Sequence, residues 1–524
     1  MVPSPSVGSS STPQPAIASS SAAPPPPPPV VASAPSSSQH LGLLKGRAAK
    51  GAQPNRPLGK PLPVAESAGT SKPPVFARAN LARAKFWAKD SPIYAKIMTA
   101  LNEPRIEASF AATLEVNLGN IRKNYRKGAD KLGAHVEAAA VIKADAYGLG
   151  ATTVAKALMQ EGCRTFFVAR TTEAIKLRSE LRDEDHPLAD TVKIHVLDGL
   201  LAHVEPRVLV EYDISPVLNS PAQAKRWSDH AANSPTGKLP CILQFDTGMN
   251  RAGMTEAEAE TMIAQLSGTA GPDAAGSLEQ ERYAGLEVTH IMTHLAKAGE
   301  AAPRPGEGND ATRQAGETSQ AQLARFETLC QHFPQAKHSI GASSTVFLEP
   351  AFHKDMVRMG GTFHGQAPFE ADTNPLLPTI TLVTSLSKIH QLKAGEGTGY
   401  GLRFTAHQDM PVATIPLGYA DGLPRRAHGN APADAGQPEA FVLVEGRYRA
   451  PFVGATSMDM STIDLSAVPK AFHHEGARVT VIGPHEASGQ GITPDHFGDS
   501  EGTNASELQT KITSRVRKTY TDQA

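Results

Sequence analysis

Between about residues 114 and 375 the chain alternates short apolar runs with stretches of helical periodicity, and no other feature limits its fold as much. The runs at 138–142, 166–169, 192–197, 241–245, 288–292 and 338–341 read as buried strands. Amphipathic stretches at 154–161, 171–182, 256–266 and 322–332 lie between several of them. Strands alternating with helices over this length fit an α/β fold of the (β/α)8 TIM-like barrel type, and a doubly wound sheet produces the same pattern. After about residue 375 the helical pattern fades. Strand-like runs at 380–386, 410–416, 441–444, 452–453, 462–465 and 478–482, with turn residues between them, predict a mainly β C-terminal domain. The expected organisation is a disordered segment at 1–75, an extension at 76–110 with a short helix around 81–89, a barrel at 111–368 and the β-domain at 369–524. Two stretches, 268–281 and 298–319, are rich in Gly, Ala, Pro and charge and read as inserted surface loops. No internal repeat is visible.

The N-terminal segment is Ser-, Ala- and Pro-rich, with six consecutive prolines at 24–29 and no Asp, Glu, Lys or Arg before Lys45. Such a composition buries too little apolar surface to offset ordering entropy and predicts disorder with polyproline II character. It serves either as a tail or as a docking site for a proline-binding partner. With 51 basic and 52 acidic side chains the net charge is -1, so no field gathers nucleic acid or an anionic membrane. No window is apolar enough for a transmembrane helix, and a secretory signal pattern is not recognisable, which predicts a cytoplasmic protein. Cys163, Cys241 and Cys330 are too few for a disulfide framework and too widely spaced for zinc, and no metal site is expected.

The chemistry is concentrated in Ala140-Val141-Ile142-Lys143-Ala144-Asp145-Ala146-Tyr147-Gly148-Leu149-Gly150. An apolar strand ending on a lysine and followed by a Gly-punctuated loop places an amine at the C-terminal mouth of a barrel. A partly desolvated lysine there has a lowered pKa and can form a Schiff base, although a strand-end lysine on its own is more often a surface cation.

Further motifs follow in order: Asp246-Thr247-Gly248-Met249-Asn250-Arg251, Thr293-His294-Leu295-Ala296, Met356-Val357-Arg358-Met359-Gly360-Gly361, Gly399-Tyr400-Gly401, Gly418-Tyr419-Ala420-Asp421-Gly422 and Ser457-Met458-Asp459. With these, the chain resembles the alanine racemase family, barrel enzymes that use pyridoxal 5'-phosphate, from residue 114 to about 518. The resemblance implies that Lys143 binds the cofactor covalently and acts as one catalytic base, with Tyr400 as the opposite base supported by His294 and Arg358. It implies that Arg358 faces the pyridine nitrogen with His338 as its partner, and that Arg251 meets the phenolic oxygen and the substrate carboxylate. Tyr147, Ser343, Gly360 and Gly361 resemble the phosphate cradle, Ser343 being placed by assuming a one-residue insertion after His338. A homodimer is implied, with Tyr400, Tyr419, Met458 and Asp459 contributed by the partner chain, and the activity implied is interconversion of L- and D-alanine.

The chain departs from the family pattern twice. Gln244 stands where many members carry a carbamylated lysine, so a bound chloride near Gln244 and Arg251 is expected to balance the arginine. Ser514 stands where alanine-specific members place a tyrosine, which predicts room for larger amino acids. Other readings are a decarboxylase for basic amino acids, which needs a late cysteine motif absent here, a non-catalytic cofactor carrier, and an interaction scaffold built on the Pro-rich tail.

Overall fold

The computed structural model describes residues 109–267, 282–300, 310–369, 374–425, 427–428, 439–485 and 491–522. The segment at 1–75, nearly all of the extension at 76–110 and the loop at 268–281 lie outside the described residues. Strand β1 (Thr113–Asn117) is followed by eight strands: β2 (Glu137–Val141), β3 (Thr165–Val168), β4 (Lys193–Val196), β5 (Ile214–Leu218), β6 (Leu239–Gln244), β7 (Leu286–Met292), β8 (Lys337–Ser339) and β9 (Met356–Met359). β2 to β8 pair in chain order, all parallel, and β2 also pairs with β9. A parallel bridge between Gly341 and Val357 closes the seam, where the Arg358 N–H donates to the Gly341 carbonyl at 3.1 Å. The result is a (β/α)8 barrel.

Side chains alternate along each strand, so every barrel strand serves two cores. Ala139, Phe167, Val217, Ile242, Met292 and Met356 fill the interior. Their neighbours Ala140, Phe166, Val168, Leu218, Leu243 and Val357 pack outward against Leu158, Leu177, Trp227 and Phe326 of the helical layer. Burial on both faces is why most of these strands read as unbroken apolar runs. β5 and β9 do not, because Pro216 interrupts one and Arg358 the other.

The second sheet has eleven strands, and β1 is one of them. It lies between Ile380–Ser385, antiparallel, and Arg517–Thr521, parallel. The span 111–368 expected for the barrel therefore gives its first strand to the β-domain. Leu114 and Val116 are buried while residues 113, 115 and 117 are only half-buried, the alternation of a strand covered mainly on one face. A second difference concerns 298–319. Residues 301–309 are outside the described residues, but a helix already begins at Asp310 and runs to Cys330. Its early inner positions, Ala315 and Ser319, are buried but small, so their periodicity carries little hydrophobic signal. Among the described residues no helix is long and apolar enough to cross a membrane.

The barrel interior also holds two imidazoles. His195 lies 4.9 Å from the Phe167 ring and 6.1 Å from that of His290, and neither of its nitrogens meets a hydrogen-bond partner among the described residues. Burial pushes His195 down to about 3 and His290 to about 4. Because both are neutral when folded and titrate at about 6.5 when unfolded, their contribution to stability is complete above that pH and is lost as the pH falls toward their folded values. Urea midpoints should therefore drop between pH 7 and pH 4.5, and His195→Leu should make that limb shallower. An unchanged slope in the variant would remove His195 from the cause.

Candidate active site

β2 delivers Lys143 to the C-terminal mouth of the barrel, and the chain then turns in an unusual way. Ala144, Asp145, Ala146 and Tyr147 all have φ between 52° and 56°, a left-handed turn of four non-glycine residues. Each costs roughly 1–2 kcal/mol, so the turn persists only if its surroundings hold it. Inside the turn the N–H groups of Ala146, Gly148 and Gly150 donate to Ile142, Ala144 and Asp145 carbonyls at 2.8–2.9 Å. From outside, Glu173 accepts the Ala144 N–H at 2.8 Å and Tyr520, on the C-terminal strand, donates to the Leu149 carbonyl at 3.0 Å. Gly148, at φ 82°, packs so closely on the Gln509 carbonyl that a Cβ would come within 2.6 Å.

Lys143 opens into a cavity of about 490 Å³ that is also lined by Tyr147, Gln244, Arg251, His294, Ser343, Arg358, Gly360 and Gly361. Strand alternation explains the convergence: Gln244 is two residues past Ile242, His294 two past Met292 and Arg358 two past Met356, all facing inward. Arg358 is 4 % exposed and makes four bonds to neutral groups. Nη1 donates to the Ser339 carbonyl at 3.0 Å and to the Ser339 hydroxyl, and Nη2 donates to the Thr293 carbonyl at 2.8 Å and to His294 Nδ1 at 3.3 Å. Since the Ser339 hydroxyl itself donates to the Met356 carbonyl at 2.8 Å, it can only accept from the guanidinium. Burial lowers Arg358 to about 10, well above neutrality. His294 is pushed down to about 3 by burial and by the Arg358, Arg251 and Lys143 charges, which leaves Nδ1 free to accept. Burial and the Arg251 guanidinium also hold Lys143 below its usual value, opposed by Glu173.

At the other side of the cavity the Ser343 hydroxyl accepts the Gly360 N–H at 2.8 Å and the Thr362 N–H at 3.3 Å. A Cβ on Gly360 would sit 2.5 Å from the Tyr147 hydroxyl, so only glycine lets that backbone and phenol meet. The site joins cations to a close-packed backbone cradle, a donor set made for an anion.

One of the expected placements changes. His338 is not a partner of Arg358: its Nε2 bonds the Phe333 carbonyl at 3.1 Å and its ring packs edge-on against Phe326, on the helical side of β8. Ser339, one residue on and facing inward, takes that place. Strand alternation puts Ser339 inside, but β8 is only three residues long, too short for the sequence pattern to show which residue faces inward. Tyr400, Met458 and Asp459 line a separate depression on the β-domain, with Tyr400 70 % exposed. Tyr419 belongs to the same surface, its N–H donating to the Ser457 carbonyl at 3.0 Å. Gln244 spends its amide N–H on the Ala252 carbonyl at 3.2 Å. Sequence reasoning also missed Glu173 and Gln366, whose amide N–H reaches Gln509 at 2.9 Å and ties the cavity wall to the C-terminal helix Ala505–Lys511.

Residues 116–368 match the model of the alanine racemase N-terminal domain and 379–520 that of the C-terminal domain. The chain belongs to the alanine racemase family. It is 34% identical over 430 residues to a catabolic alanine racemase of Mesorhizobium japonicum, covering 82% of this chain and 98% of that protein. With an alanine racemase of Rickettsia bellii it shares 32% identity over 419 residues, 80% of this chain and 87% of the relative. Among solved structures, the Bartonella henselae alanine racemase, which carries covalently bound pyridoxal phosphate, superposes with a TM-score of 0.63 at 28% identity, over 78% of this chain and 99% of that one. The biosynthetic alanine racemase of Pseudomonas aeruginosa gives 0.62 at 28% identity, covering 79% and 99%. Alanine racemases are isomerases, and this member keeps their two-domain plan.

The corrected Arg358 contact is open to test. Ser339→Ala leaves a buried guanidinium N–H without its hydroxyl acceptor, and should cost about 1–3 kcal/mol in urea unfolding and raise Arg358 reactivity toward an arginine-modifying dicarbonyl. His338→Ala should leave Arg358 reactivity unchanged; the opposite ranking would restore His338.

Proposed function

We propose that this alanine racemase family member interconverts L- and D-alanine with pyridoxal 5'-phosphate, using Lys143 and Tyr400 as bases on opposite faces of the α-carbon. The observation that carries the reading is the cavity itself, where a Lys143 amine of lowered pKa and a buried Arg358 with only neutral acceptors face the same space. The residues present fit the cofactor. Tyr147, Ser343, Gly360 and Gly361 would hold its phosphate, Lys143 its aldehyde carbon, and Arg358 its ring nitrogen. When bound, the cofactor supplies an electron-withdrawing ring that acidifies the α-hydrogen of an attached amino acid.

The chain's own groups then divide the proton work. A guanidinium donates and does not give up its proton, so Arg358 would hold the ring nitrogen as an acceptor, which would limit electron withdrawal and favour return of the proton to the α-carbon. The freed Lys143 amine, held below its usual pKa by burial and Arg251, would be the base on one face of the α-carbon. Arg251, at the cavity wall, is placed to bind the substrate carboxylate. Tyr400 lies outside the barrel-mouth cavity of its own chain, exposed with Leu402, Met458 and Met460 on one β-domain surface. Exposed apolar side chains of that density favour burial against a second copy, which supports a homodimer in which Tyr400 of the partner subunit completes the site.

Two details follow from the departures. Arg251 has no carboxylate partner among the described residues, which supports a chloride beside it and Gln244, visible by anomalous scattering. Ser514 is exposed next to Arg515, which bridges Asp421 at 3.1 Å and Asp459 at 2.9 Å, so the space of an aromatic ring is open on that surface and larger substrates are admitted.

Proton–deuterium exchange at the α-carbon tests the assignment. Lys143→Ala should abolish covalent cofactor attachment, and Tyr400→Phe should slow exchange from L-alanine by about 10²–10⁴-fold. Mixing the two inactive variants should restore activity, because a mixed dimer rebuilds one site from an intact Lys143 and an intact Tyr400. No recovery after confirmed subunit exchange would sink the shared site, and activity with alanine alone across an amino-acid panel would sink the wider range.

A further inference from the structure

We propose that Glu173 is the positioning residue of Lys143, one carboxylate that fixes the left-handed turn to the neighbouring strand and sets the charge facing the amine. The proposal rests on the reading of Lys143 as the cofactor-bearing lysine. Glu173 stands at the third position of the helix Thr171–Asp183, where a carboxylate ordinarily caps its own helix, and Oε2 does so by accepting the N–H of Ala169 at 2.8 Å and of Arg170 at 3.1 Å. Oε1 does something a cap does not require. It accepts the N–H of Ala144 at 2.8 Å, the residue directly after Lys143 and the first left-handed position of the turn. Ala169 and Lys143 both line the cavity, so the carboxylate ties together two strand ends of the barrel mouth.

The charges around Lys143 make this position matter chemically. Arg251 lines the cavity from the loop after β6, His294 from just past β7 and Arg358 from β9, and the Arg251 charge adds to burial in lowering the pKa of the amine. Of the nearby carboxylates, Asp198 is paired with Arg170, and Asp145 lies within 3.6 Å of Lys176 and 3.8 Å of Lys518. Glu173 is the carboxylate whose field opposes burial and Arg251 at Lys143. It therefore opposes the lowering of the amine's pKa by burial and Arg251, while holding the backbone from which the amine projects.

The two functions separate in two substitutions made in the full-length chain. Glu173→Gln removes the charge and keeps the length; the pH midpoint for reductive methylation of Lys143 in cofactor-free protein, read by peptide mass mapping, should fall by about half a unit or more relative to wild type. Glu173→Asp keeps the charge and the helix cap but is one methylene short of Ala144; the midpoint should stay near wild type while the bound cofactor dissociates about tenfold faster, the fold-change of a ~1.4 kcal/mol weaker hold. A residue that only caps its helix would leave both readouts unchanged, and a misfolded variant would move the midpoint up toward that of an exposed lysine; either result overturns the proposal. Borohydride reduction of the wild-type holoenzyme separates this from the underlying reading: a label on a lysine other than Lys143 defeats the reading, whereas a label on Lys143 with unchanged variants defeats only the role of Glu173.

Discussion

A left-handed turn of four L-residues does not stand by itself, and the arrangement of the catalytic end of this chain follows from what holds it. The steric cost falls on Ala144, Asp145, Ala146 and Tyr147, immediately after the lysine that opens into the cavity. Its supports come from three distant places: Glu173 on the helix Thr171–Asp183, the Gln509 carbonyl against Gly148, and the Tyr520 hydroxyl on the Leu149 carbonyl. Two of these belong to the C-terminal 20 residues. They reach the barrel because β1 and the strand Arg517–Thr521 pair side by side, bringing the C-terminal strand next to the segment that leads into the barrel. The β-domain thus acts on the barrel mouth of its own chain.

The second organising constraint is charge. Lys143, Arg251 and Arg358 open into one cavity, and the acceptors that meet Arg358 are carbonyls, a hydroxyl and a neutral imidazole. A buried guanidinium without a counter-ion is costly, and an incoming phosphate or carboxylate relieves that cost. Saturating both terminal nitrogens of Arg358 also removes its freedom to swing, so its remaining Nε–H is presented in one direction. Ser339 does this because its own hydroxyl hydrogen is committed to Met356.

Much of this was legible in the residues. The alternation of apolar runs and amphipathic stretches predicted the barrel, and the ordered motifs predicted which side chains would gather at its mouth; Lys143, Tyr147, Arg251, His294, Ser343, Arg358, Gly360 and Gly361 do share one cavity. What failed to show was whatever depends on a strand's facing or on partners far along the chain. His338 and Ser339 differ only in which side of β8 they face, and a three-residue strand leaves too little pattern to say. Pro216 and Arg358 hid β5 and β9. The helix from Asp310 was masked by small buried residues, and β1 read as part of the barrel because pairing with residues 380–385 and 517–521 is a long-range event.

By itself the sequence determined the class of fold, the family and the set of reactive side chains, since these rest on local periodicity and on residue types at short spacings. Only the tertiary structure decided that the lysine turn is left-handed and held from the C-terminus, and that Ser339 and not His338 grips Arg358. Each of those is a question of which groups meet in the folded chain, 19 residues apart for Ser339 and Arg358 and 371 apart for Leu149 and Tyr520, where burial and hydrogen-bond satisfaction override any local preference.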